Sequence, residues 1–326
     1  MSFPRKREPG DFQCSRRVTY KSLMKANCLN ISIDELNSRA SSALARLEKC
    51  DLCPNDCGVN RLEGQVGLCG AGAKAKAASY NLHFGEEPAI SGARGSGTIF
   101  FSHCTLKCAY CQNWPISHKG NGVEYDATGL AKIMLELRGR GAHNINLVTP
   151  THYMPQILEA LVIAVEGGFN IPIVYNTSGY ESLPALRLLD GVVDIYLPDM
   201  RYSNDELAKK YSKARKYASY NRAAIMEMFR QVGLLKTDGD GMAARGLIIR
   251  HLVLPENISG TEEVLKFIAK ELSPQVAVSL MDQYFPTYEA ADYPEIDRKI
   301  TEKEYLAAQD VMERYGLYEG WVQEHV

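Results

Sequence analysis

From Gly97 onward the chain alternates between two kinds of apolar pattern. Six short runs, Thr98 to Ser102, Asn144 to Val148, Ile171 to Tyr175, Val192 to Leu197, Leu247 to Leu254 and Val276 to Leu280, are rich in β-branched and aromatic residues and read as strands. The stretches between them repeat apolar residues at helical spacing. Their ends carry helix signals: Pro155 at a start, Ser203 with Glu206 and Thr301 with Glu304 as capping boxes, and Gly141 and Gly167 as stops. Strands that are apolar almost throughout are buried on both faces, so the repetition predicts a parallel α/β sheet. Periodicity leaves open whether that sheet is doubly wound or an incomplete barrel. Either way, polar residues at five strand ends predict one mouth at the carboxyl edge: His103, Thr149 to His152, Asn176 to Ser178, Asp199 with Arg201, and Asp282 to Tyr284.

The first hundred residues follow a different pattern. Residues 32 to 49 read as a helix opened by Ser32 and Glu35, with Leu36, Ala40, Leu44 and Leu47 on one face. From Cys50 to Gly72 no periodicity is sustained, and Pro54, Gly58, Gly64, Gly67 and Gly70 mark loops. Asp238-Gly239-Asp240-Gly241 reads as a turn or short hairpin; no Lys-Ser/Thr helix start follows that would make it a phosphate cradle. The expected organisation is a basic leader over 1–30, a helix with a cysteine module over 31–92, and an α/β domain over 93–326.

Composition narrows the function classes. With 37 Lys and Arg against 39 Asp and Glu, the net charge of -2 provides no field for nucleic acid or an acidic membrane. The leader residues Arg5, Lys6, Arg7, Arg16, Arg17, Lys21 and Lys25 enclose no apolar core of signal-peptide length. The longest apolar stretch, Ile157 to Val165, is interrupted by Glu159 and is far short of a membrane span. A soluble cytoplasmic protein is expected. All nine cysteines lie at or before Cys111, and in a reducing compartment they point to metal binding and not to disulfides.

Seven of these cysteines form two groups. Cys104, Cys108 and Cys111 are spaced C-x3-C-x2-C directly after the first strand. Three thiolates hold three irons of a four-iron cube and leave the fourth iron open, which is a catalytic arrangement. A continuous helix would instead place the three on one buried face, but Gln112-Asn113-Trp114-Pro115 argues against one. A zinc site completed by His103 or His118 is the other alternative. Tyr110, between the second and third cysteines, stands where a ring lies beside a ligand of the open iron. Cys50, Cys53, Cys57 and Cys69, spaced C-x2-C-x3-C-x11-C in a segment too loop-rich to fold unaided, form a second metal site for zinc or a [4Fe-4S] cluster. Cys14 and Cys28 fit no motif.

The segment Ser102-His-Cys-Thr-Leu-Lys-Cys-Ala-Tyr-Cys-Gln-Asn113 resembles the radical S-adenosylmethionine (radical SAM) superfamily, and within it the branch of pyruvate formate-lyase activating enzyme-like proteins. The resemblance extends to Cys50-x2-Cys53-Pro-x2-Cys57-x-Val-Asn-Arg61, Val148-Thr-Pro-Thr-His152, Val174-Tyr-Asn-Thr-Ser-Gly179, Tyr196-Leu-Pro-Asp-Met200 and Arg250-His-Leu-Val-Leu-Pro255. It implies a partial (β/α)6 barrel with a small cysteine-rich N-terminal extension. It also implies a [4Fe-4S] cluster on the triad, S-adenosylmethionine as cofactor, and hydrogen abstraction by a 5'-deoxyadenosyl radical. Asn176-Thr177-Ser178-Gly179 and Asp199-Met200-Arg201 are similar to cofactor-contacting motifs of glycyl-radical activating enzymes, which places Asn176, Thr177, Asp199, Arg201 and Arg250 near the cofactor. The partners it implies are a reductant such as flavodoxin or ferredoxin and a glycyl-radical enzyme or other protein substrate; the charge balance and short apolar stretches predict no nucleic acid and no membrane.

Two features depart from that branch. The Gly-Gly-Glu after the second strand is replaced by Thr149-Pro150-Thr151-His152, where His152 is either a substrate-side acid or base or a satisfied loop histidine. About a hundred residues precede the triad, where the characterised activators have it near the start. A radical enzyme acting on a small molecule or peptide, and a non-catalytic zinc-binding interaction protein, are therefore the competing functions.

Overall fold

The computed structural model describes residues 26–324; the basic leader up to Lys25, including Cys14, lies outside them. The strands are β1 (Ala75–His83), β2 (Ser96–Phe101), β3 (Val123–Tyr125), β4 (Ile145–Val148), β5 (Ile173–Thr177), β6 (Ile195–Pro198), β7 (Lys236–Thr237), β8 (Ala243–Leu252), β9 (Ala277–Met281) and β10 (Gly320–Val322). The helices are α1 (Ile33–Ala45), α2 (Pro88–Ser91), α3 (Trp114–Ser117), α4 (Ala127–Gly139), α5 (Met154–Glu166), α6 (Leu183–Arg187), α7 (Asp205–Ser212), α8 (Tyr217–Val232), α9 (Thr261–Phe267) and α10 (Glu302–Arg314).

The six expected strands are β2, β4, β5, β6, β8 and β9. They pair in parallel in that order. Each strand therefore lies beside the next in sequence, with no point at which the order reverses. That is the winding of a barrel and excludes a doubly wound sheet. The barrel stays open. Antiparallel β1 and then β3 extend it beyond β2, and β10 extends it beyond β9. The expected hairpin is also present, with β7 folded against β8 and the Asp238 carboxylate accepting from the N–H groups of Asp240 and Met242.

The interior is sorted by height. Val174, Ile195, Leu197, Ile248 and Ala277 form an apolar lower layer, plugged by Ala89 and Ile90 of α2. Two positions further along the chain from Val174, Leu197 and Ile248 stand Asn176, Asp199 and Arg250, so the interior becomes polar toward the carboxyl edge.

Two capping expectations are corrected. Ser32 accepts from the Glu35 N–H, but the Glu35 carboxylate turns to Arg39, 2.7 Å away, and does not return to the cap; the helix ends at Ala45. Asn204, not Ser203, caps α7 by accepting from the N–H groups of Glu206 and Leu207. The Thr301 and Glu304 box is complete.

Candidate active site

The triad occupies an irregular loop between β2 and α3, which excludes a buried helical stripe. Its backbone is fixed from below by α7. The N–H groups of Lys107 and Ala109 donate to the carbonyls of Ser212 and Tyr211, at 2.9 and 2.7 Å, acceptors that a helix C-terminus leaves free. Each of the three sulfurs receives a donor. The Leu106 N–H points at Cys104 Sγ (3.4 Å), the Ser212 hydroxyl donates to Cys108 Sγ (3.0 Å), and the Ser117 hydroxyl lies 3.0 Å from Cys111 Sγ. Arg201 Nη1 adds a guanidinium 3.7 Å from Cys108 Sγ. Burial pushes the Cys104 thiol up to about 12, so ligation there displaces a proton. A donor on every sulfur and a neighbouring cation suit thiolate ligands of a cluster, whose potential such bonds tune.

A cavity of about 460 Å3 opens beside these sulfurs. Cys104, Cys111 and Tyr110 line one end, and Thr149, Asn176, Thr177, Asp199, Arg201 and Arg250 line its walls. The structure thus brings all six expected cofactor residues to one space. Tyr110 is buried edge-on to Tyr284, and its hydroxyl is tied to that of Tyr202 at 2.6 Å, which in turn meets Ser212. Thr177 turns its hydroxyl to Glu181, which also accepts from Thr151 at 2.6 Å. Burial pushes the Glu181 carboxyl up to about 7.

The charges are linked in a row. Asp199 accepts from Arg201 (Nη2 to Oδ2, 2.6 Å) and Arg250 (Nε to Oδ1, 2.9 Å). Arg250 Nη2 donates to the Asn176 carbonyl oxygen at 2.6 Å. Burial would raise the Asp199 carboxyl, but Arg250 and Arg201 together outweigh it and hold the group below the ordinary carboxylate range.

Two histidines of the expected mouth lie elsewhere. His103 has a left-handed backbone (φ +70°), and its ring faces Gly70 and Gly120, where a Cβ would stand 3.0 Å from Nδ1 and 2.3 Å from Cε1 respectively. His152 is fully buried with Nε2 on the Ser102 carbonyl and Nδ1 without a hydrogen-bond partner among the described residues; burial lowers it to about 3, and it does not line the cavity. His118 packs its ring on Tyr288. Sequence reasoning missed Ser117 and Ser212 on the sulfurs: Ser212 lies 104 positions from Cys108, and Ser117, only six from Cys111, reaches its sulfur because the loop turns into α3. It also missed Glu86, which lines the cavity from the loop after β1. That strand has few β-branched residues, so its pattern was faint.

The four-cysteine module packs behind the triad loop. Cys53, Cys57, Cys50 and Cys69 lie within electrostatic range of one another, and all are free thiols. Among the described residues, no three His, Cys, Asp or Glu side chains are gathered about a single-ion position. Asn55 Nδ2 donates to the Thr105 carbonyl (2.8 Å) and Lys107 Nζ to the Cys69 carbonyl (3.4 Å), bridging module and loop twice. Arg61 is buried and donates to the carbonyls of Gly72 and His152 at 3.0 and 2.7 Å, which fastens the module to the end of β4. At Gly67 a Cβ would stand 2.7 Å from Cys57 Sγ. Gly67→Ala is therefore expected to displace Cys57 and loosen the module, read as a melting temperature below that of the wild type in thermal denaturation.

The sequence model of the radical SAM superfamily matches residues 98–268, which span the triad and the strands around the cavity. The chain belongs to the radical SAM superfamily. Membership implies a [4Fe-4S] cluster and S-adenosylmethionine. The chain is 34% identical over 283 residues to the uncharacterized protein MJ0674 of Methanocaldococcus jannaschii, covering 83% of this chain and 76% of that one. Among solved structures it overlaps methylornithine synthase (PylB), with 13% identity, 90% of this chain and 71% of that one covered, and TM-score 0.46. It also overlaps the hydrogenase maturase HydG of Carboxydothermus hydrogenoformans, with 14% identity, 69% and 52% covered, and TM-score 0.47. As a radical SAM protein the chain has the open, parallel barrel described above. Among the described residues no helix is long and apolar enough to cross a membrane.

Proposed function

We propose that this chain is a radical SAM enzyme in which Cys104, Cys108 and Cys111 hold the [4Fe-4S] cluster and the adjoining cavity holds S-adenosylmethionine. The observation that carries this is the donor placed on each triad sulfur at the mouth of a cavity lined by two of the same cysteines. The cluster and cofactor, when bound, supply reductive cleavage of a carbon–sulfur bond and a 5'-deoxyadenosyl radical for hydrogen abstraction. The chain's own residues position and shield. Asp199 holds Arg201 and Arg250 in fixed orientation, and a guanidinium so held suits a carboxylate. Asn176 and Thr177 contribute at the end of β5, and the Tyr110 ring forms the wall beside the triad. The apolar layer of Val174, Ile195, Leu197, Ile248 and Ala277 beneath offers water no hydrogen-bond partners.

In this reading Cys50, Cys53, Cys57 and Cys69 bind the second metal, zinc or a [4Fe-4S] cluster. The two bridges to the triad loop give a cluster there a short route for an electron from a reductant such as flavodoxin or ferredoxin. The substrate is either a glycine of a glycyl-radical enzyme, as the sequence resemblance suggests, or a small molecule or peptide. The second is favoured by the polar, largely buried lining of the cavity, to which Glu86, Asn176, Asp199 and Arg250 contribute. Anaerobic purification, iron and sulfide quantification and reduction with S-adenosylmethionine are expected to yield 5'-deoxyadenosine. Cofactor that binds and is never cleaved overturns the reading.

A further inference from the structure

Cys108 is joined to the wall of the cavity by a row of three hydroxyl groups. The Ser212 hydroxyl donates to Cys108 Sγ at 3.0 Å, the Tyr202 and Ser212 hydroxyls are 2.7 Å apart, and the Tyr110 and Tyr202 hydroxyls are 2.6 Å apart. Both hydroxyl pairs stand at the usual separation of O–H···O bonds. All three side chains are buried, and Tyr110 lines the cavity.

Counting protons fixes the direction of every bond in the row. A hydroxyl has one proton to donate and two lone pairs with which to accept. Ser212 gives its proton to the sulfur, so its bond to Tyr202 uses the Tyr202 proton. Tyr202 is then left only as an acceptor toward Tyr110, and Tyr110 donates. The row runs one way, from the cavity wall to the sulfur. Each inner hydroxyl accepts one bond and gives the next, the arrangement in which successive bonds polarise and strengthen one another. A serine hydroxyl turns freely about its C–O bond, but the proton arriving from Tyr202 occupies one lone pair and leaves the Ser212 proton aimed at Cys108. The Tyr110 hydroxyl also interacts with Ser212 directly, so both tyrosines act on the one serine.

The frame around the row is fixed independently of its hydroxyls. The Lys107 N–H donates to the Ser212 carbonyl at 2.9 Å, which sets the serine against the triad loop. The Tyr202 ring packs edge-on to Tyr217 with centroids 5.6 Å apart, and the Tyr110 ring packs edge-on to Tyr284 at the same distance. Rings held by packing keep their places when a hydroxyl is deleted, so the hydrogen bonds can be altered without emptying the core.

We infer that Tyr202 and Tyr110 are positioning residues for the triad cluster: acting through Ser212, they aim and strengthen the hydrogen bond on Cys108 and so raise the cluster's reduction potential. The inference rests on the reading of Cys104, Cys108 and Cys111 as the cluster's ligands. Reduction adds negative charge to a cluster and its sulfurs, so a hydrogen bond aimed at a sulfur stabilises the reduced form more than the oxidised one. Tyr202 contributes to this from one bond further out than the serine.

The test is potentiometry followed by electron paramagnetic resonance on the anaerobically prepared full chain, in which the signal lost on Cys108→Ala marks the triad cluster. Tyr202→Phe keeps the ring and deletes the hydroxyl. It is expected to retain the iron and sulfide of the wild type and to shift the midpoint potential in the negative direction, by a smaller step than Ser212→Ala. Tyr110→Phe, at the head of the row, is a second variant expected to shift the potential in the same direction. Tyr196→Phe is the control, since it deletes a buried hydroxyl bonded to Gln231 at 2.6 Å outside the row; it is expected to lower the melting temperature and leave the potential where it was. An unchanged or more positive potential in Tyr202→Phe overturns the inference. Loss of iron from Tyr202→Phe also overturns it, because the hydroxyl would then hold the loop together and not tune the cluster. A wild-type triad without iron and labile sulfide fails the proposed function and this inference together, whereas a triad cluster whose potential ignores Tyr202 fails the inference alone.

Discussion

Cys108→Ala is expected to abolish cleavage of S-adenosylmethionine, by far more than 100-fold, and to remove the iron and sulfide of one cluster. The residue is buried at the centre of the triad loop and meets two donors, the Ser212 hydroxyl at 3.0 Å and Arg201 at 3.7 Å. Losing the sulfur removes an iron ligand and leaves both donors facing an apolar methyl. The informative comparison is Ser212→Ala, which keeps all three ligands and deletes one hydrogen bond to sulfur. Groups that orient or tune a ligand typically contribute 10–100-fold, so this variant should keep its iron, shift the cluster's reduction potential and lose activity within that range. Because Ser212 also joins Tyr202 and Tyr110, the variant breaks the row Tyr110–Tyr202–Ser212–Cys108 at one point. Iron analysis with potentiometry by electron paramagnetic resonance separates the two variants. Equal iron loss in both would remove the distinction between ligand and tuning group.

Asp199→Asn is expected to destabilise the fold by roughly 3 kcal/mol, measured by chemical denaturation, and to weaken S-adenosylmethionine binding. Its carboxylate is buried between two arginines, and removing one charge of such a cluster leaves the others uncompensated in a poor dielectric, a loss of about 3–5 kcal/mol when complete. Asparagine keeps one acceptor, which is why the lower figure is expected. The exposed Arg230, paired with Glu227 and Asp190, is the control; Arg230→Gln should cost less than about 1 kcal/mol. The pH dependence follows from the direction of the shift. A carboxyl held below its ordinary 3.8 contributes stability that is complete above that value and is lost as pH falls through the folded-state value. The difference between wild type and Asp199→Asn should therefore be constant from pH 5 to 8 and shrink only in stronger acid. A difference that vanished near neutrality would contradict the buried ionised triad of charges.

The strands were legible because their chemistry is local. A run such as Val276 to Leu280 is apolar on both faces only if both faces are covered, and that requirement is written in consecutive residues. The Thr301 and Glu304 box was equally local and formed as expected, whereas at α7 an asparagine one position later competed better for the same N–H groups. At Ser32 the partner glutamate was drawn to Arg39 instead. His103 and His152 shared the strand-end position of the other polar residues, but side chains at a strand end alternate in direction, and the sequence does not record which way each one turns.

By itself, then, the amino-acid sequence determined a parallel α/β chain, a three-cysteine loop at the end of its first strand and a set of polar strand ends, since each of these is a property of neighbouring residues. Only the tertiary structure decided the winding of the barrel, because strand order depends on which surfaces meet. It also decided that serines at 117 and 212 serve the triad sulfurs, that one aspartate holds two arginines, and that Glu86, from the loop after an inconspicuous strand, lines the cavity. Those contacts join residues up to 164 positions apart, as Glu86 and Arg250 are. Burial selects them only when the whole interior is assembled, since the energy that pairs or strands a charge depends on the loss of surrounding water.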